Sequence, residues 1–338
     1  MNILGIETSC DETAAAVVKD GRTVVRSSVA SQMAVHRPFR GVVPELASRA
    51  HVERINAVID DATHGGRLGY QAIAVTTGPG LVGSLLIGVV TARTLGWVRR
   101  VPVIGMNHLE GHLFAGLVEH PKLKPPFLGL IISGGHTELV LFKSYGNYET
   151  LGGTRDDAAG EAFDKVANLL DLPFPGGPSI DRMAQKGNPR AVAFPRAWLR
   201  GTHDFSFSGL KTSVANYLLE NANGNRPPIA DLCASFQEAV VDVVVRKTIE
   251  AAKAYRLKSI VVGGGVAANR RIRAAFQAEA SSAHLTVFLP DLAFCTDNAA
   301  MIAAGGYFKL KTLGSSKRKV SALNVDANLP VTSWGAVR

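Results

Sequence analysis

The stretches "ILGIETSCDETAAAVV" (residues 3–18) and "FLGLIISGGHTELVLF" (residues 127–142) decide the fold. Laid over one another, Leu4 matches Leu128, Gly5 matches Gly129, Ser9 matches Ser133 and Thr13 matches Thr137. Each copy reads as an apolar strand, a small polar turn and a second apolar strand. A further strand-like stretch follows in each, residues 23–29 and 148–151, and then a helix, expected over 44–62 and 157–170. Two unrelated units can share such a pattern by chance. The small polar turns stand in register, which favours duplication. The expectation is an α/β protein of two similar lobes facing a cleft. Turns of Gly, Ser and Thr let backbone N–H groups approach an anion closely.

A third glycine-rich element is "SIVVGGGVAANRRIR" (residues 259–273), an apolar strand running into Gly263, Gly264 and Gly265, with a helix expected to open near Ala267. That arrangement points helix N–H groups at a ligand. The spacing is neither a P-loop nor a dinucleotide fingerprint. Three such elements in one chain favour a nucleotide cleft.

The 338 residues are 46% hydrophobic and 19% charged, enough for a sizeable core and roughly two domains. The net charge of +9 fits a polyanionic partner such as nucleic acid, or simply a solvated basic surface. Basic residues are scattered, with one cluster at Lys309, Lys311, Lys317, Arg318 and Lys319. Cys10, Cys233 and Cys295 form no CxxC, and the first residues lack a basic leader, so a reducing, cytoplasmic setting without a signal peptide is expected. The uncharged stretch 68–92 is broken by Gly78, Pro79 and Gly80, so it reads as a buried helix after a turn rather than a membrane span.

The stretch "NHLEGH" (residues 107–112) looks like chemistry. On a helix, His108 and His112 share a face, as residues four apart do. Glu110 lies about 200° round from His108 and faces elsewhere. The water-activating glutamate of H-E-x-x-H is therefore missing. What remains is half a metal site or two ordinary histidines at a helix start. Asp297 in "CTDNAAM" stands where a helix begins, as a cap or as a third ligand. Two histidines and a carboxylate leave positions open for a substrate oxygen. In "DDAAGEAFDKVANLL", Asp157, Glu161 and Asp164 fall on one face, either solvated or holding ligand hydroxyls or amines. "PFPGGPSID" is a tight turn in which Gly176 and Gly177 can offer backbone, and Asp11 and Glu12 stand in the first polar turn.

Taken together, "GIETSCDETAAAVV", "GVVPELASRAHVE", "GPGLVGSLLIG", "NHLEGH", "ISGGHTEL", "DDAAGEAFDKVA", "FSFSGLKTS", "GGVAANRRIR" and "CTDNAAMIA" resemble the TsaD family, tRNA N(6)-adenosine threonylcarbamoyltransferases once labelled sialoglycoproteases. The motifs run in order from residue 5 to about residue 303. The resemblance implies the actin-like ATPase fold of sugar kinases and the heat-shock chaperone ATPase. It implies a first lobe over residues 1–107 and a second over 108–338 with inserted helical segments, the C-terminal end returning to the first lobe. It implies a metal, iron or zinc, held by His108, His112 and Asp297. It implies that Ile131, Ile132, Ser133, Gly134, Gly135, Asp164, Gly177, Asp181 and Asn269 bind the adenylate substrate. The implied reaction moves threonylcarbamoyl from threonylcarbamoyl-AMP to the exocyclic amine of the adenosine 3′ of the anticodon in tRNAs reading codons that start with A. Asp11 or Glu12 would receive the amine's proton. Implied partners are TsaB, a degenerate relative, expected on the helices after Pro44 and Leu81, and TsaE, a P-loop ATPase. Two positions depart from the family pattern: Gly153 where Glu is usual and Arg40 where Gly is usual. The rival readings are a metalloprotease, a small-molecule kinase of the same fold and a non-catalytic nucleotide-binding module.

Overall fold

The computed structural model describes residues 1–221, 226–313 and 323–335. The chain divides into two compact units: Met1–Pro125 with Phe142–Glu149 and Pro290–Arg338, and Pro126–Leu141 with Thr150–Leu289.

The first unit opens with β1 (Asn2–Glu7), β2 (Glu12–Lys19), β3 (Thr23–Ser31), the short α1 (Met33–His36) and α2 (Pro44–Ala62). It continues with β4 (Ala72–Gly78), α3 (Val82–Arg99), β5 (Val103–Asn107) and α4 (His108–Glu119). The sheet order is β3-β2-β1-β4-β5. β2 is antiparallel to both β1 and β3, whereas β4 is parallel to β1 and β5. β1 and β4 are apolar along most of their length because both sheet faces are covered. Leu4, Ile6, Ile73 and Val75 pack with Ile55 and Val58 of α2 and Val89 of α3. Alternate residues point the other way.

In the second unit, β6 (Phe127–Ile132), most of β7 (Thr137–Ser144) and the end of β8 (Asn147–Gly153) lead to α5 (Ala159–Leu169), α6 (Gly176–Ala184), α7 (Ser208–Glu220) and α8 (Ile229–Ala254). β9 (Ser259–Gly263), α9 (Arg270–Ser282) and β10 (Thr286–Phe288) complete it. The chain then returns to the first unit with α10 (Leu292–Cys295) and α11 (Ala299–Leu313). The second sheet runs β10-β9-β6-β7-β8, the order of the first with β6 in the place of β1. Gly5 pairs with Ala74 of parallel β4, and its repeat partner Gly129 pairs with Val261 of parallel β9. The matched threonines also do matched work. The Thr13 hydroxyl meets His51 of α2 at 2.8 Å, and the Thr137 hydroxyl accepts the N–H of Ala159, the first residue of α5, at 2.9 Å. Each ties the second strand of its lobe to the helix that follows.

Two helix starts differ from the sequence reading. α5 begins at Ala159, two residues after Asp157. After Gly264 the backbone makes a single 3-10 turn, Gly265–Ala268, and α9 opens only at Arg270, where Asn269 caps it by accepting the Ile272 N–H at 3.0 Å. Arg40 has a left-handed φ of 54°, a conformation glycine adopts without cost, which explains the glycine usual there. Among the described residues no helix is long and apolar enough to cross a membrane.

Candidate metal centre and nucleotide-binding elements

The carboxyl ends of β1, β4 and β5 are neighbours in the first sheet, and that is where ligands bind in α/β folds. They carry Glu7, Thr76 and Asn107. Asn107 caps α4: its Oδ1 accepts the N–H groups of Leu109 and Glu110 at 2.8 and 3.2 Å. This start places His108 and His112 one turn apart, with ring centroids 4.8 Å from each other.

Glu7 is fully buried and accepts hydrogen bonds from the Thr76 hydroxyl at 2.6 Å and the Ser9 N–H at 2.5 Å. Its Oε2 lies 3.0 Å from His108 Nδ1, and the Ser9 hydroxyl lies 3.1 Å from the same nitrogen. A carboxylate only accepts, so the Nδ1 hydrogen points at Glu7 and Nε2 faces inward. That nitrogen is 3.3 Å from Asp297 Oδ1, and His112 Nε2 is 3.4 Å from the same oxygen. Both ring nitrogens of His112 are buried without a hydrogen-bond partner among the described residues. The donor atoms of His108, His112 and Asp297 all lie within 4.8 Å of one another. Two imidazoles and a carboxylate, one imidazole oriented by a second carboxylate, fit a divalent transition metal.

The electrostatics point the same way. Burial alone would lower the His108 pKa, but the charges of Asp297 and Glu7 overcome it and hold the ring well above its usual range. Burial would raise Asp297 and Glu7, yet the His108 charge pulls both carboxyls down. His112 is lowered by burial. The pocket is thus built to hold positive charge. Asp297 is not the cap of α11, since the Asn298 Oδ1 accepts the Met301 N–H at 3.0 Å and leaves Asp297 to the histidines.

Asp11 and Glu12 stand beside this group, their carboxylate oxygens within 4.8 Å of each other and of Asp297. Burial, with the charges of Asp11 and Asp297, pushes Glu12 up to about 9. Its Oε1 accepts from the Ser31 hydroxyl at 2.9 Å. The turn that presents them is held by His51, whose Nε2 lies 3.0 Å from the Cys10 carbonyl. Because that carbonyl only accepts, Nε2 carries the hydrogen and Nδ1 accepts from Thr13.

Glu110 points away from the histidines. It is buried and accepts the indole N–H of Trp334 at 2.8 Å. Burial pushes its carboxyl up to about 7. It cannot serve as the base for a metal-bound water, so the geometry does not favour the protease reading.

In the second unit the glycines separate into two kinds. Gly264 has a φ of +98°, and a Cβ there would strike the Ile132 carbonyl. A Cβ on Gly160 would come within 2.5 Å of the Ser133 carbonyl. These two are required by backbone and packing. Gly134, Gly135, Gly177 and Gly265 have no positive φ, and a Cβ on any of them would meet nothing within 4 Å. Neither conformation nor packing of the chain demands glycine there, as is also true of Gly41, Gly69 and Gly209.

Ile131 and Ile132 have their side chains in the core, so they can offer only backbone. Ser133 folds its own turn: its N–H donates to the His136 carbonyl at 2.8 Å and its Oγ accepts the His136 N–H at 3.1 Å. The acidic face read from the sequence is divided. Lys165 bridges Asp157 and Glu161 at 2.7 and 2.8 Å, whereas the Asp164 Oδ1 accepts the Gly176 N–H at 2.7 Å. Asp181 is raised by burial and lies 3.9 Å from the Arg270 guanidinium. Asn269 donates to Gln237 at 2.7 Å. At the departure noted above, the Gly153 N–H donates to Asp204 at 3.1 Å, and a Cβ would sit 3.6 Å from Glu138. A glutamate side chain there would begin beside another carboxylate. Of the basic cluster, Lys309 is half-buried and donates to the Gly105 carbonyl at 2.9 Å, while Lys317, Arg318 and Lys319 lie outside the described residues.

Sequence reasoning missed Glu7 and Thr76. The available signal was a carboxylate closing an apolar strand run, "NILGIE", a place where burial demands a partner.

Two lobes of identical strand order define a protein of the actin-like ATPase fold, here with a metal-competent group at the strand ends of one lobe. The solved structure of T. kodakarensis HypF has the same fold, with a TM-score of 0.66 at 14% identity over 95% of this chain and 50% of that one. The activator of the 2-hydroxyisocaproyl-CoA dehydratase from Clostridium difficile follows with 0.53 at 15% identity, over 95% of this chain and 100% of its own. The model of the TsaD family, tRNA N6-adenosine threonylcarbamoyltransferase, matches residues 23–304, and the chain belongs to that family. Proteins of that name are 49% identical in Endomicrobium trichonymphae, over 99% of both chains, and 54% identical in Bacillus subtilis (strain 168), over 90% of both.

Proposed function

We propose that this chain transfers the threonylcarbamoyl group of threonylcarbamoyl-AMP to the N6 amine of the adenosine 3′ of the anticodon, in tRNAs reading codons that begin with A. Family membership across most of the chain carries the reading. The His108, His112 and Asp297 group supports it as an enzyme that works with a divalent metal; iron in the first place and zinc in the second are part of the same proposal. That ion would supply Lewis acidity toward a donor oxygen.

The chain's own groups divide the remaining work. Ile131, Ile132, Ser133, Gly134, Gly135 and Gly177 offer backbone to the phosphate of the adenylate, where fixed N–H groups stabilise the charge of departing AMP. Asp164, Asp181 and Asn269 hold its nucleoside. Asp11 or Glu12, whose carboxylate oxygens lie within 4.8 Å of each other, takes up the proton shed by the attacking amine. Glu7, Thr76 and Ser9 keep His108 Nε2 aimed at the metal.

tRNA is the macromolecular substrate, and the setting is the cytoplasm. A TsaB-type partner fits the exposed apolar stripe of Val82, Leu86 and Val90 on α3 beside Val52 on α2, and a TsaE-type ATPase completes the set. The deciding test is reconstitution with tRNA, partner proteins and donor, followed by nucleoside analysis of the tRNA. Modified adenosine is expected with the native chain. His108→Ala should lose bound metal and product together. A metal-free His108→Ala protein that still makes product overturns the metal's role, and no product from the native chain overturns the function.

A further inference from the structure

Glu110 stands between two metal-competent histidines yet takes no part in their chemistry. What it does is set by the last described segment of the chain, residues 323–335. This strap crosses the first unit by backbone hydrogen bonds: the Asp326 N–H donates to Thr77 at 2.9 Å, and Ala327 accepts from Gly80 at 3.2 Å. It then meets the start of α4 twice. The Asn107 amide donates to the carbonyls of Leu329 and Pro330 at 2.9 and 3.1 Å, while its oxygen caps the helix. Three residues on, Glu110 accepts the Trp334 indole N–H.

Trp334 is held from its other sides as well. Its N–H donates to the Gly146 carbonyl at 2.8 Å, and a Cβ on Gly146 would strike the indole ring. The ring stacks on Phe114, a further α4 residue, with centroids 6.1 Å apart and planes 9° from parallel. Ser333 accepts the Tyr148 N–H at 2.9 Å. Both ends of the first turn of α4, residues 107 and 110, are therefore bound to one strap, and His108 lies between them.

We propose that Trp334 and Glu110 are positioning residues, through which the C-terminal strap fixes the rotation of α4 and so the aim of His108 and His112 at a shared metal ion. This rests on the metal reading given above. Rotation of a helix turns every side chain on it together. A strap that pins the face opposite the ligands restrains the ligands without touching them. Partners that orient a ligand typically change metal affinity by about 10–100-fold when lost.

The test compares Zn²⁺ affinity, by competition with a chelator, in the native chain and in Trp334→Phe, Glu110→Leu, Glu110→Gln and the Trp334→Phe/Glu110→Leu double variant. Trp334→Phe keeps an aromatic ring facing Phe114 and removes the N–H donor together with part of the indole. Affinity should fall about 10-fold in Trp334→Phe and in Glu110→Leu, and no further in the double variant. Glu110→Gln still offers an oxygen to the indole and should stay near native. Bound Co²⁺ should show an altered d–d spectrum in the two weakened variants. Far-UV circular dichroism and thermal unfolding of the metal-free proteins report folding. Trp334→Phe with lowered melting temperature but native Zn²⁺ affinity and Co²⁺ spectrum overturns the proposal and leaves the metal site standing. Equal weak Zn²⁺ binding by the native chain and His108→Ala sinks the metal reading and the proposal with it.

Discussion

At the scale of single residues, the glycines fall into a crowded and an open kind, and the two kinds predict opposite behaviour. Gly264→Ala forces a Cβ against the Ile132 carbonyl at a left-handed φ, so it should destabilise by about 1–3 kcal/mol. Gly134→Ala and Gly177→Ala meet open space, so thermal stability should hold or rise by about 0.4–1 kcal/mol through the unfolded state. Binding of AMP should weaken in these two alone. Scanning calorimetry and titration with AMP read both quantities, and native AMP affinity in Gly134→Ala and Gly177→Ala would remove the ligand argument for those turns. His51 offers a pH prediction. Burial lowers its pKa in the folded chain, so the unfolded chain binds the extra proton more readily. Stability should therefore fall as pH drops below the unfolded value of about 6.5 and level off below the folded one. Melting temperatures between about pH 7 and 5 should decline less steeply in His51→Gln, which has no proton to gain over that range.

At the scale of elements, the seat of α11 decides where Asp297 stands. A Cβ on Gly5 would strike the Ala299 carbonyl, and one on Gly306 would strike Ala74. Small residues on both sides let the helix lie directly on β1 and β4. Gly5→Ala should cost about 1–3 kcal/mol and be seen as a lower melting temperature of the metal-free chain; an unchanged value would show that α11 can lift without penalty. Elements were legible where period and punctuation agreed. α2 was expected over 44–62 and spans Pro44–Ala62, because Pro44 opens it and an apolar stripe fills it. α5 and α9 start later than their sequence patterns. A run of small residues is compatible with helix, but the Thr137 hydroxyl selects the first turn of α5 from a distant strand, and the Asn269 side chain selects that of α9 as a local cap. The metal-competent histidines were legible from their spacing of four. Glu7 was not, because its partner is reached from another strand and sequence spacing carries no information about that contact.

At the scale of the whole molecule, the duplication is written in both sequence and topology, as the matched pairs Gly5 with Ala74 and Gly129 with Val261 show. The two lobes differ in the residues at their strand ends. The first ends its strands in carboxylates and histidines, the second in open glycines. The first unit is also assembled from three separated segments. A fragment of residues 1–125 lacks α11, Asp297 and the strap, so it leaves the β1 and β4 face that α11 covers exposed to water. Such a fragment should show no cooperative thermal transition and no Zn²⁺ binding above that of a His108→Ala, His112→Ala control. A sharp transition in the fragment would mean that α11 is dispensable to the sheet.

The distance along the chain between His108 and Asp297 carries a further meaning for a protein made by a ribosome. The two histidines leave the exit tunnel early, and the whole second unit is synthesised before their carboxylate partner. At roughly 5–20 residues per second, the gap lasts about ten to forty seconds. Throughout that interval the nascent chain carries the two imidazoles without Asp297. The three-residue group is complete only once Asp297 has been made, so any selectivity among ions that the carboxylate confers arrives after the whole second unit.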